Sequence, residues 1–219
     1  MRKNSVASKT ILKNYKILQK FLDRHFSKVE TALTHKNVFE LLVATIMSAQ
    51  CTDVLVNKVT PKLFKKYKSS RDFGNAKISA LQKDIYPVTF YRNKAKAIKK
   101  TAQIINAKYN GKVPKTLEEL IDLPGVARKT ANAVLGNGFG IAEGIVVDTH
   151  VRRVSNRFGL SKNSDPKKIE HDLMQIVPKK NWIKFSNQTI WFGRKICKAR
   201  GNQCQNFPEL KKICLEKSF

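Results

Sequence analysis

Apolar residues recur every three or four positions over residues 11–22, 38–47, 54–64, 94–105, 117–121, 127–135, 151–158 and 183–191. That spacing lines one face of an α-helix. The only β-like apolar run is residues 144–147, too short to found a sheet. The pattern predicts an all-α fold with short connections. Pro61, Pro87, Pro114, Pro124, Pro166, Pro178 and Pro208 fall at or near the predicted helix ends, where a residue without an amide proton costs least. Neither an internal repeat nor a long low-complexity linker interrupts the chain.

With 219 residues, 42% of them hydrophobic, the chain can bury one core or two small packed lobes without disulfides. Its longest apolar stretches fall short of the roughly 20 residues that span a bilayer, and no secretory signal pattern opens it. An intracellular protein with no membrane span is expected. The net charge of +27 suits a polyanion, nucleic acid before membrane. Charge alone decides little, because only 10 of the 43 basic residues are Arg and most Lys side chains are simply solvated.

Position is more informative. Residues 117–132 read Leu-Glu-Glu-Leu-Ile-Asp-Leu-Pro-Gly-Val-Ala-Arg-Lys-Thr-Ala-Asn, two helices broken by Leu-Pro-Gly. Pro124 ends the first, Gly125 takes a turn conformation, and the amides that open the second lack intrahelical acceptors and suit a phosphate oxygen. An ordinary helix connection fits the turn equally well. Lys129 then lies in the first turn of the second helix, where the positive end of the helix dipole disfavours an ammonium ion. A neutral amine there can attack a sugar C1′ as the base departs, giving a Schiff base that permits β-elimination; the bland reading is a solvated side chain. Asp148 follows the apolar run and precedes a helical pattern, so it is expected to cap that helix. A carboxylate near a glycosidic carbon also stabilises the positive charge of an oxocarbenium-like transition state.

Leu123-Pro-Gly-Val-Ala-Arg-Lys-Thr-Ala-Asn132 and Val147-Asp-Thr-His-Val-Arg-Arg153 together resemble the endonuclease III family, as do residues 39–53, Val56-Asn-Lys-Val-Thr-Pro61 and Phe90-Tyr-Arg-Asn-Lys-Ala95. The resemblance extends from about residue 30 to residue 200. It implies a helix-hairpin-helix DNA glycosylase of two α-helical lobes with DNA in a cleft between them: residues 31–141 as a six-helix lobe with the hairpin at about 117–135, and residues 1–30 with 142–219 as the second. It implies a bifunctional glycosylase and AP lyase of base excision repair, acting on damaged pyrimidines and abasic sites in duplex DNA. Lys129 and Asp148 would be the catalytic pair. Leu123, Gly125, Val126, Ala127, Arg128 and Thr130 would meet the DNA backbone. Gln50 would fill the gap left by an extruded base, with Phe90 beside it; their bland readings are a helix-end polar residue and a core aromatic. Thr89 stands where the family usually has Gly. A monomer at the nucleoid is expected.

Two alternatives stay open. The adenine-excising branch of the superfamily carries a Glu where this chain has Thr45 and lacks the amine of Lys129. A non-catalytic helix-hairpin-helix module would grip DNA without needing Lys129 or Asp148.

The four cysteines, at 51, 197, 204 and 214, are too few and uneven for a secreted disulfide scaffold. Relatives resembling this chain end in four Cys that hold a [4Fe-4S] cluster. Cys197, Cys204 and Cys214 correspond to three of these, but Phe207 replaces one, and the last interval is longer by one residue. A site completed by an outside ligand and a loop held by ordinary packing are both compatible with this sequence. Cys51 reads as a small buried hydrophobe, whereas Lys195, Lys198 and Arg200 are candidates for phosphate contacts.

Overall fold

The computed structural model describes residues 8–215. In chain order these form α1 (Lys9–His25), α2 (Val38–Ser48), α3 (Asp53–Lys66), α4 (Ser70–Asn75), α5 (Ile78–Asp84), α6 (Tyr91–Tyr109), α7 (Leu117–Ile121), α8 (Arg128–Val134), α9 (Thr149–Arg157), α10 (Pro166–Ile176), α11 (Trp182–Lys195) and α12 (Pro208–Lys211), with a π-helical turn at Leu135–Phe139. No strand forms among the described residues, and none of their helices is long and apolar enough to cross a membrane. The chain divides into two compact units, residues 31–143 and residues 1–30 with 144–219.

In the unit of residues 31–143, α2 is buried over the whole stretch from Leu41 to Met47, so it serves as the core helix against which α3, α6 and α8 pack. Polar caps fix where the helices begin. Asn37, Thr52 and Thr116 each accept an amide proton from the first turn that follows, and Ser69 forms a reciprocal capping box with Asp72; each such cap is worth about 1 kcal/mol. Phe73 fixes α4 by packing on Phe39, Phe64 and Tyr67.

In the other unit, α1, α9 and α11 share an aromatic core in which Phe192 meets Phe21, Phe26 and Phe158. Burying a side chain of this size stabilises by roughly 1.5–3 kcal/mol. The run 144–147 is extended chain without a strand partner. Ile145, Val146 and Val147 are nonetheless buried, and the Val146 amide donates to Ser186 Oγ.

One expectation about prolines is overturned. Pro61 lies inside α3 rather than at its end. The bond it forfeits is the one to the carbonyl four residues back, and the burial of Val56, Val59 and Leu63 on the same helix outweighs that loss. The short helices α4, α5 and α12 carry too few turns to show a periodic face, and α10 is announced by its start signal, Asp165 capping with Pro166 at the first position.

Candidate active site

The Leu-Pro-Gly segment is a hairpin. After α7 the Val126 amide donates to Leu123 O at 3.1 Å, closing the turn, and Thr101 Oγ1 donates to Pro124 O at 2.9 Å. Leu123 and Val126 bury their side chains, pinning the turn from beneath. Gly125 sits at φ +79°, with room for a Cβ only 3.0 Å from Ala97 Cβ, so both the dihedral and the space demand glycine. Ala127 caps α8 without a side-chain hydrogen bond. Helix geometry leaves the amides of Lys129 and Thr130, in the first turn of α8, without intrahelical acceptors. Ala127 and Lys129 are exposed; Arg128 and Thr130 are half-buried. Lys129 thus presents its amine to solvent from the second position of α8.

Asp148 lies in the other unit, half-buried, and caps α9: its Oδ1 accepts the amide protons of His150 and Val151, both at 2.8 Å. Those bonds fix the carboxylate's orientation from below. Burial holds the His150 imidazole below its ordinary pKa of 6.5, opposed by the charge of Asp148 and reinforced by Arg153 and Arg194. Arg153 Nη2 lies 3.1 Å from His150 Nδ1; since a guanidinium only donates, Nδ1 accepts and the ring proton belongs on Nε2.

Gln50 and Phe90 are both exposed, Phe90 by 58%, and both take left-handed backbone conformations with φ of 51° and 56°. An aromatic held open to solvent is not a core residue. Thr45 is buried and donates its hydroxyl to Leu41 O at 2.7 Å. Lys94, which sequence reasoning did not single out, is 7% exposed and reaches the end of α2. Its signal was present: a Lys on the buried face of α6 shared with Ala95, Ile98, Ala102 and Ile105.

A four-thiolate cluster does not fit the C-terminal loop. All four cysteines are free thiols. Phe207 stands where the fourth ligand is needed, and its ring packs edge-on against Phe21 and His25 with centroids 4.9 and 5.8 Å apart. Cys197 and Cys204 are fully buried. The Cys204 thiol donates to Cys197, which with the hydrogen bond from Arg157 Nη1 at 3.4 Å brings Cys197 down to about 7. The same bond, with one to Cys214, pushes Cys204 up. No group of three or more His, Cys, Asp or Glu side chains among the described residues is disposed to hold a metal ion. Lys195, Lys198 and Arg200 are exposed beside this loop, and Cys51, only partly buried, packs against the core of its own unit, residues 31–143.

This geometry has known counterparts. Residues 43–179 match the family described as HhH-GPD superfamily base excision DNA repair protein. The chain is 47% identical over 173 residues to an endonuclease III of Synechocystis sp., with 79% of each chain covered. It is 46% identical over 192 residues to one of Bacillus subtilis, with 87% of each covered. Among solved structures it is similar to a non-covalent endonuclease III–DNA complex at a TM-score of 0.89 and 42% identity, covering 94% of this chain and 95% of that one. A trapped endonuclease III–DNA covalent intermediate matches with the same TM-score and identity, covering 94% and 96%.

Proposed function

The chain belongs to the endonuclease III family within the HhH-GPD superfamily of base excision repair proteins, and we propose from that premise that it is a bifunctional DNA glycosylase and AP lyase. It removes oxidised pyrimidines from duplex DNA and nicks the resulting abasic site. The observation that carries this reading is the exposed primary amine of Lys129 at the start of α8, immediately after the Leu123-Pro124-Gly125 hairpin.

The amides of Gly125, Ala127, Lys129 and Thr130 receive a backbone phosphate, aided by the positive end of α8. Leu123 and Val126 bury their side chains and spend their amides within the turn, on Leu120 O and Leu123 O, so they shape the hairpin instead of donating to DNA, while Arg128 and Thr130 add side-chain donors. Gln50 and Phe90 enter the stack, offsetting the few kcal/mol that extrusion of a nucleotide costs. As the glycosidic bond breaks, the electron pair leaves with the base, and the Asp148 carboxylate stabilises the positive charge left on the sugar. The Lys129 amine adds to C1′ and loses a proton. Ring opening gives the Schiff base, removal of a C2′ proton expels the 3′ phosphate, and water releases the amine. No step passes through an iron-sulfur cluster. The protein acts as a monomer at intracellular DNA.

That an endonuclease III has been captured covalently on DNA accords with an amine nucleophile. Adenine excision is disfavoured by Thr45, which offers a hydroxyl already committed to Leu41 O instead of a carboxylate. The test is borohydride trapping on duplex DNA containing an abasic site or thymine glycol. A covalent adduct that disappears in Lys129→Ala is expected. Tight, salt-sensitive binding without an adduct would replace the enzyme with a binding module.

A further inference from the structure

The last carbonyls of a helix have no intrahelical donors, and at the end of α2 each of three finds a partner. Thr45 O accepts from the Ser48 hydroxyl at 2.9 Å, Ser48 O from the Cys51 amide at 3.1 Å, and Met47 O from Lys94 Nζ at 2.7 Å. The same ammonium donates to Ala49 O at 2.5 Å. Lys94 comes from the first turn of α6, where its own amide donates to Phe90 O at 3.1 Å. One residue therefore holds the peptide just before Gln50 with its side chain and Phe90 with its main chain.

Both of those neighbours are strained. Of the three non-glycine residues with positive φ among the described residues, one is Asn110, a type that tolerates it; the others are Gln50 and Phe90. A left-handed conformation costs such residues about 1–2 kcal/mol and persists only where the surroundings impose it. Lys94 is also costly in itself, since an ammonium at 7% exposure has surrendered most of its water. The negative end of the α2 dipole and two carbonyl acceptors offset that loss. Packing alone would be served better by Met or Leu.

We propose that Lys94 is a positioning residue that clamps the Gln50 loop to the Phe90 loop, holding both side chains outward in the poses with which they enter the DNA stack. The proposal rests on the reading of Gln50 and Phe90 as wedges given above. It assigns Lys94 no contact with DNA.

Lys94→Met keeps the aliphatic stem and the main-chain bond to Phe90 O but removes the ammonium that donates to Met47 O and Ala49 O and so ties the start of α6 to the end of α2; Lys94→Arg keeps the charge and side-chain donors. In Lys94→Met, amide hydrogen exchange is expected to rise together over residues 47–51 and 88–92 and to stay unchanged over α4. Excision of thymine glycol from duplex DNA should fall on the order of 10- to 100-fold, the scale of a misplaced positioning group. The fluorescence rise of 2-aminopurine beside the lesion should be lost. Borohydride trapping on single-stranded abasic DNA, which needs no wedge, should remain within about two-fold, and Lys94→Arg should recover most of the excision. Parallel loss of excision and single-strand trapping, faster exchange in only one of the two loops, or unimpaired duplex excision would overturn the clamp. Should Lys94→Met fail to fold, Lys94→Gln, a shorter neutral donor, is expected to give the same selective pattern. A wild-type chain that traps no abasic DNA refutes the lyase instead, and the exchange measurement still judges the clamp.

Discussion

Phe207 lies edge-on to Phe21, ring centroids 4.9 Å apart and planes at 75°. The aromatic side chain ties the C-terminal loop to α1 at the position where a fourth cluster thiolate would be needed, and three linked thiols stand in place of a metal-binding set. Protein purified anaerobically, and again after incubation with ferrous iron and sulfide, should carry substoichiometric iron and show no absorbance near the visible band of a [4Fe-4S] centre. Chelators should leave trapping unchanged. Phe207→Ala should destabilise by about 1–2 kcal/mol, below the 3–5 of a fully buried Phe because this ring is partly exposed. Four irons per chain would show that the loop rearranges around a cluster despite the missing Cys.

Much of this arrangement is legible in the residues. The hairpin follows from Pro124 and Gly125, the cap from Asp148 ahead of an apolar helical face, and the vulnerable cluster loop from the Phe at 207. Burial and strain are less readable. Phe90 fits a core aromatic as well as a residue beside the extruded base until its exposure is seen, and Lys94 looks like one more solvated Lys in a chain with 43 basic residues. Pro61 misleads because a local rule about helix ends yields to the packing of α3, which is a non-local matter.

Asp148 caps α9, and on the proposed mechanism it also stabilises charge on the sugar; substitution can separate the two roles. Its Oδ1 takes the amide protons of His150 and Val151, a task Asn performs almost as well. Asp148→Asn should keep stability within about 0.5 kcal/mol and keep duplex affinity, yet lose excision by on the order of 10²–10³-fold, because a neutral amide cannot stabilise a developing cation. Asp148→Ala should in addition cost about 0.5–2 kcal/mol. Urea unfolding and single-turnover excision measure the two effects separately. Unimpaired turnover in the Asn variant removes Asp148 from the chemistry.

His150 gives the unit a dependence on acid. Burial lowers its folded pKa below the ordinary 6.5, with Asp148 pulling upward and Arg153 and Arg194 downward. Between the folded and unfolded values the unfolded chain binds more protons, so stability falls as pH falls. The His150 contribution is therefore fully present above about 6.5, declines as pH drops below it, and levels off beneath the folded value. Melting temperature followed from pH 8 downward should begin to fall near the ordinary imidazole range, and His150→Asn should flatten that part of the curve. An identical curve for the variant would place the acid sensitivity elsewhere.

Gly125 tests the hairpin as a phosphate site without touching any charge. At φ +79° an L side chain is strained by about 1–2 kcal/mol, and an added Cβ would lie 3.0 Å from Ala97 Cβ and 3.4 Å from Ile46 Cγ2. Relief requires the turn to move, and with it the amides that precede Lys129. Gly125→Ala should therefore weaken duplex binding by about ten-fold, the equivalent of 1.4 kcal/mol, and lower the slope of log affinity against log salt by about one released counterion. Trapping at saturating DNA should persist, since the Lys129 amine itself is intact. Fluorescence anisotropy over a salt series reads both quantities. Full affinity with an unchanged salt slope would mean that the phosphate is held by side chains elsewhere and that the hairpin serves only to connect α7 to α8.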